Sequence, residues 1–103
     1  MLVKLKILLV WAIAAIAQMP LPFEREMYLT DPPMTGDDVI ILQKLLNRAS
    51  VSQPLKGDGV YTSAVQSAVS QLQSSTSDLE NTDIFDPSTA QFCLNKFSND
   101  GIV

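Results

Sequence analysis

Residues 57–73 read GDGVYTSAVQSAVSQLQ, an Asp-Gly turn set directly against apolar residues spaced like one face of a helix. Gly57-Asp58-Gly59 breaks the chain: Asp bonds its own backbone in a turn, and Gly supplies a positive φ. Val60-Tyr61 is then a short extended step. Thr62 or Ser63 is placed to cap a helix through its hydroxyl, Ser63 with Gln66 in capping-box spacing. Val65, Ala68, Val69 and Leu72 follow at i, i+3, i+4 and i+7, the spacing of one buried helical stripe.

The same grammar recurs on both sides of this stretch. Upstream, a helix is expected from near Thr35-Gly36-Asp37, with Asp37 and Asp38 in the first turn where the helix dipole favours negative charge. Val39, Leu42, Leu45, Leu46 and Ala49 form its stripe, and Lys44, Asn47 and Arg48 point away. Ile40 lies almost opposite that stripe. Either the segment MPLPFEREMYLT (residues 19–30) folds back over it, or it is exposed for a partner. Downstream, Asp86-Pro87 opens a third helix as N-cap acid and first-position proline. Ala90, Cys93, Leu94 and Phe97 repeat the apolar spacing. Between the last two helices, SSTSDLENTD (residues 74–83) is a polar loop with Leu79 as its anchor, and Ile84-Phe85 is a second extended pair.

The reading is all-α: a small three-helix bundle with short extended segments and a Pro-rich N-terminal arm. About 65 residues lie near the lower size limit for a domain that folds without staples. So small a core favours a shallow binding surface over a deep enclosed active site.

The first 17 residues read as an export signal. MLVKLK is a positive n-region, Ile7–Ala17 is an unbroken apolar run, and Ala15-Ile16-Ala17 has the small-x-small form of a cleavage site. The run is short of the roughly 20 apolar residues that a spanning helix needs. Cleavage is expected after Ala17, with no membrane span in the mature chain. The expected organisation is a signal peptide at 1–17, an extended arm at 18–34, a helical domain at 35–98 and a tail at 99–103. The expected destination is extracellular, or periplasmic in a bacterium.

Composition removes several classes of chemistry. There is no His and a single Cys among 103 residues, so His-based acid/base catalysis and His or multi-Cys zinc sites are not expected. From residue 18 onward 11 acidic residues face 5 basic ones, a sign that opposes nucleic-acid binding. Cys93 reads as a small buried hydrophobe, with an intermolecular disulfide as the alternative. Asp78, Glu80, Asp83 and Asp86 read as a solvated acidic loop, since no EF-hand spacing and no fixed carboxylate pair is visible. No cofactor, no metal and no enzymatic activity is expected, and a monomer is.

Four blocks in order carry a family resemblance: Gly36-x-x-Val39-x-x-Leu42-Gln43, then Asp58-Gly59-Val60-Tyr61, then Ala68-Val69-x-x-Leu72-Gln73, then Ile84-Phe85-Asp86-Pro87-Ser88-Thr89 with Leu94. Together they resemble the peptidoglycan-binding-like domain, a three-helix module attached to cell-wall hydrolases and similar to the prodomain core of matrix metalloproteinases. The family's glycine after the aromatic is Thr62 here, its helix-start threonine is Val65, its aromatic before the second Gln is Leu72, and its second Asp-Gly glycine is Asp83. The core positions stay apolar, while the loop where a ligand would sit is altered.

The resemblance implies a secreted, non-catalytic module that binds peptidoglycan or a related cell-wall glycan. The alternative is a prodomain-like or protein-interaction module that binds a secreted protein and no glycan. Candidate ligand-binding residues are Asp58, Tyr61, Thr62, Gln43 and Gln73. Each also has a structural role open to it: Asp58 in the turn, Tyr61 in packing, and the two glutamine amides on loop backbone.

Overall fold

The computed structural model describes residues 18–98, so the expected signal peptide and the tail lie outside the described residues. Three helices follow one another: α1 (Asp37–Ala49), α2 (Ser63–Ser74) and α3 (Pro87–Phe97). Helix α1 is the element against which both others pack. Among the described residues there is no strand, only two isolated antiparallel bridges, Met27 with Phe85 and Thr35 with Val60. The three-helix bundle expected from the apolar spacing is the architecture found.

Each helix starts where its local chemistry allows. Gly36 precedes α1 at φ 149, outside the range most residues adopt, and Asp37 and Asp38 fill the first turn. Asp86 caps α3, its side chain accepting the Thr89 N–H at 2.9 Å, with Pro87 at the first helical position. Helix α2 departs from expectation. Thr62 is its N-cap with extended backbone, but no side-chain hydroxyl closes the cap, so neither hydroxyl cap predicted at Thr62 or Ser63 is made. The helix opens with its ordinary first bond, the Gln66 N–H on the Thr62 carbonyl at 3.1 Å.

The three stripes meet as predicted. Val39, Leu42, Leu45 and Leu46 of α1, Val65, Ala68, Val69 and Leu72 of α2, and Ala90 and Cys93 of α3 are buried. Ala49, Leu94, Phe97 and Leu79 pack at the edge of this cluster. Burial pushes the Cys93 thiol up to about 12, so it remains protonated and unreactive at neutral pH.

The arm does more than the sequence predicts of an extended segment. Phe23 and Met27 are fully buried in the same core, and the Phe23 ring meets Phe85 edge-on with centroids 4.8 Å apart. Met27 and Phe85 exchange both backbone hydrogen bonds, at 2.8 and 3.2 Å. Ile40 is half-buried, its side chain lying against Gly59, where an added Cβ would come 3.1 Å from Ile40 Cγ1 and 2.9 Å from the Gly36 carbonyl oxygen. The misfit of Ile40 to its stripe is therefore resolved by the turn glycine beneath it.

Arg25 fastens the arm to the start of α1. Its Nε donates to Asp38 Oδ2 at 2.8 Å, and its Nη2 donates to Asp38 Oδ1 at 3.1 Å and to the Thr35 carbonyl at 2.7 Å. This two-pronged contact, chiefly through its hydrogen bonds, holds the Asp38 carboxyl below its ordinary pKa. A depressed folded-state value stabilises the fold above the unfolded-state pKa, and that stabilisation fades as pH falls through the folded-state value. Urea melts of the wild type below about pH 4 are therefore expected to lose a component of stability that Asp38→Asn lacks throughout; parallel pH profiles of the two proteins would contradict this.

Candidate functional site

Gln43 leaves the buried face of α1 and reaches the Asp58-Gly59 turn. Its Oε1 accepts the Gly59 N–H at 3.0 Å, while its Nε2 donates to Asp58 Oδ1 at 3.1 Å and the Val60 carbonyl at 3.2 Å. Gln43 is 2% exposed. Gly59 adopts φ 76, and Asp58 Oδ1 also accepts the Val60 N–H at 3.1 Å. The amide of Gln43 and the N–H of Val60 hold the Asp58 carboxyl below its ordinary value, and the carboxylate is fully exposed. Asp58 is thus a fixed negative charge at the surface.

Gln73 makes the corresponding contacts one helix later. Its Oε1 accepts the N–H groups of Thr82 and Asp83 at 3.1 and 2.9 Å, and its Nε2 donates to the Ile84 carbonyl at 2.9 Å and to the Thr82 and Thr89 hydroxyls. Gln73 is 1% exposed. Both glutamines are spent on loop backbone. Tyr61 is fully buried among the core residues, and its hydroxyl has no hydrogen-bond partner among the described residues. Burial, with a smaller contribution from Asp83, pushes the Tyr61 phenol well above its ordinary value.

Of the five candidate residues, Asp58 and Thr62 stand at the surface. They flank a cleft of about 280 Å3 floored by Leu55 and Val65, with Lys56 on its rim. This opens beside a wider cleft of about 550 Å3 between the 50–55 loop and the exposed face of α2. Pro54, Leu55 and Ala64 line both clefts, giving one continuous groove. The wider part carries no charged side chain, and Gln53, Ser67 and Gln71 present amide and hydroxyl groups along it. Those three side chains find no partner among the described residues. Such a neutral, amide- and hydroxyl-rich wall over a small apolar floor suits a polyhydroxylated ligand.

Sequence reasoning missed Gln53, Ser67 and Gln71, because polar residues on the outer face of an amphipathic helix or in a loop look like solvated surface. It also missed what fixes the groove wall. The Asn47 side chain grips Leu55 at both ends, accepting its N–H at 2.7 Å and donating to its carbonyl at 3.0 Å. Helix α1 thereby holds the loop through Gln43 and Asn47 together. Among the described residues no group of three acidic or Cys side chains could hold a metal ion, and no helix is long and apolar enough to cross a membrane.

Two substitutions separate the latch from the core. Gln43→Ala leaves the Gly59 N–H and Val60 carbonyl without their partner, and equilibrium urea unfolding is expected to register a loss of about 2–4 kcal/mol. Tyr61→Phe removes a buried hydroxyl that bonds nothing, and the same measurement is expected to show a gain of about 1 kcal/mol; a loss would mean that the hydroxyl is partnered in solution.

The sequence profile of one family, described as a putative peptidoglycan binding domain, matches residues 35–92, a span that contains all three helix starts, both glutamine latches and the whole groove. No curated protein and no solved structure matches. With more than half of its length accounted for in this way, the chain belongs to the peptidoglycan-binding domain family.

Proposed function

We propose that this chain is a secreted, non-catalytic module that docks on peptidoglycan or a related cell-wall glycan through the groove between the 50–58 loop and α2. Family membership supports the ligand class. The observation that carries the location is the row of unpartnered amide and hydroxyl side chains, Gln53, Ser67 and Gln71, above an apolar floor of Pro54, Leu55 and Ala64. Sugar rings offer both hydroxyls for the first set and C–H faces for the second. Asp58 and Thr62 at the narrow end add a fixed carboxylate and a hydroxyl. Gln43 supports the narrow end of the groove from within, through the Asp58-Gly59 turn.

The proposed role is binding without turnover. The described residues offer no nucleophile paired with a base, and the Cys93 thiol is buried and protonated. Export would follow from the Lys-flanked apolar run at residues 1–17 and its Ala-x-Ala end. A protein attached to wall polymer outside the cell needs no tight site, because repeated weak contacts with a polymer add up.

Co-sedimentation with insoluble peptidoglycan tests the proposal. The wild-type protein is expected in the pellet, and Ser67→Trp, which fills the groove from an exposed helical position, is expected to lower the bound fraction by roughly tenfold, about 1.4 kcal/mol. Recovery of all wild-type protein in the supernatant would sink the glycan-binding reading.

A further inference from the structure

The two glutamine latches are copies of one another. Val39-x-x-Leu42-Gln43 of α1 recurs 30 residues on as Val69-x-x-Leu72-Gln73 of α2. The loops they hold align at a constant offset of 24: Asp58 with Thr82, Gly59 with Asp83, Val60 with Ile84, Tyr61 with Phe85. The principal hydrogen bonds correspond. Gly59 and Asp83 each give an N–H to the glutamine Oε1, and Val60 and Ile84 each accept from its Nε2. Asp58 Oδ1 and Thr82 Oγ1 each take the N–H two residues ahead, at 3.1 and 3.3 Å. Gly59 and Asp83 share the left-handed backbone, with φ 76 and 62, and Tyr61 and Phe85 are both fully buried. The loops differ in length, Gln43 and Gly59 being 16 residues apart and Gln73 and Asp83 10 apart, and Gln73 makes two further contacts, with the Thr82 N–H and the Thr89 hydroxyl.

Carrying the same offset into the groove gives a concrete result. Pro54, Leu55, Ala64 and Ser67 of the first groove map onto Asp78, Leu79, Ser88 and Gln91. Those four residues line one cleft of about 370 Å3 between the second loop, α3 and Gln18 and Pro20 of the arm, while Ser77 and Asn95, the counterparts of Gln53 and Gln71, lie outside it. Phe92 also lines it, where the first repeat has Ala68. The ring is half-buried, so part of it is open, although Lys96 Nζ lies over it 5.7 Å from its centroid and Phe97 meets it edge-on. Asp78 is exposed and Gln91 gives its Nε2 to Asn95, leaving its Oε1 as an acceptor.

We propose that this second cleft is a saccharide site, equivalent by internal repetition to the groove on α2 and resting on the glycan reading of that groove. Its ligand is a pyranose chain of the same class as that proposed for the first groove. The open part of the Phe92 ring takes the C–H face of a sugar, and Asp78, Ser88 and Gln91 supply acceptors and a hydroxyl to its polar edge. Two sites on one small domain let a single copy hold two stretches of polymer at once, which raises the apparent affinity for a multivalent wall above that for a soluble fragment.

A nitrogen–proton correlation titration with chitotetraose separates the sites. Two clusters of shifted amides are expected, one over residues 53–56 and 62–71 and one over 78–79 and 87–92. Phe92→Leu combined with Gln91→Ala is expected to weaken the second cluster by roughly tenfold and to leave the first unchanged. Ser88→Trp blocks the cleft from an exposed position without touching the core, and the same loss is expected from it if the Phe92 variant does not fold. Shifts confined to the first cluster, or a second cluster indifferent to both variants, would overturn the second site while leaving the first standing. Absence of any shift, together with protein that stays in solution over insoluble peptidoglycan, would overturn both.

Discussion

A buried side-chain amide holding the backbone of the following loop is the contact on which the rest of this structure depends. Three short helices bury their stripes readily, but the loops between them also pass close to the core and bring N–H and C=O groups that must find partners. Gln43 and Gln73 meet that demand from inside, each matching one acceptor and two donors to a turn. An amide is the side chain for this task because it is neutral, so it can be buried without the cost of a charge, and it both gives and accepts. Glu in either place would repel the turn carbonyl and would carry a buried charge.

The latches set what else the chain can be. Gly59 has to be glycine because the Gln43-bound turn runs at φ 76 under Ile40 and against the Gly36 carbonyl. The second turn makes the same bend with Asp83 at φ 62, and Asp is among the few residues with a side chain that tolerate it. The pinned turns then aim Tyr61 and Phe85 into the core, and each of these donates its N–H to the arm, to Met34 and Met27 respectively. The arm is thus stitched to both turns, and its Phe23 and Met27 complete a core that three stripes alone would leave thin.

The helices were legible in the sequence because their information is periodic: Val39, Leu42, Leu45 and Leu46, or Val65, Ala68, Val69 and Leu72, announce a face by spacing alone. The arm was not, since Phe23 and Met27 belong to no repeat and each bridge involves a single residue pair. The missing hydroxyl cap on α2 has the same origin: Thr62 has the right type and place, yet the side-chain torsion that decides a cap is not written in the sequence. Gln43 and Gln73 were legible as candidates, with backbone and ligand roles both open. Burial to 2% and 1% assigns their amides to backbone. Ser67 and Gln71 carried no signal because an outward-facing polar residue on a helix has the same spacing whether it meets water or a sugar.

That division would let a chain this small keep its fold while the groove surface varies. The residues consumed by the latches and the core, Gln43, Gly59, Tyr61, Gln73 and Phe85, point inward. Those that line the groove, Gln53, Ser67, Gln71 and the exposed Asp58 and Thr62, are free of that duty or contribute only an outer atom to it. The departures from the family pattern at Thr62 and Asp83 fall where this boundary runs. Asp83 occurs at a bend that Asp can still make, so the latch is preserved. Thr62 occurs at the helix start, where its hydroxyl makes no cap, so its side chain is left at the mouth of the groove. Changes there alter what the surface offers to a ligand without loosening the turn that holds it.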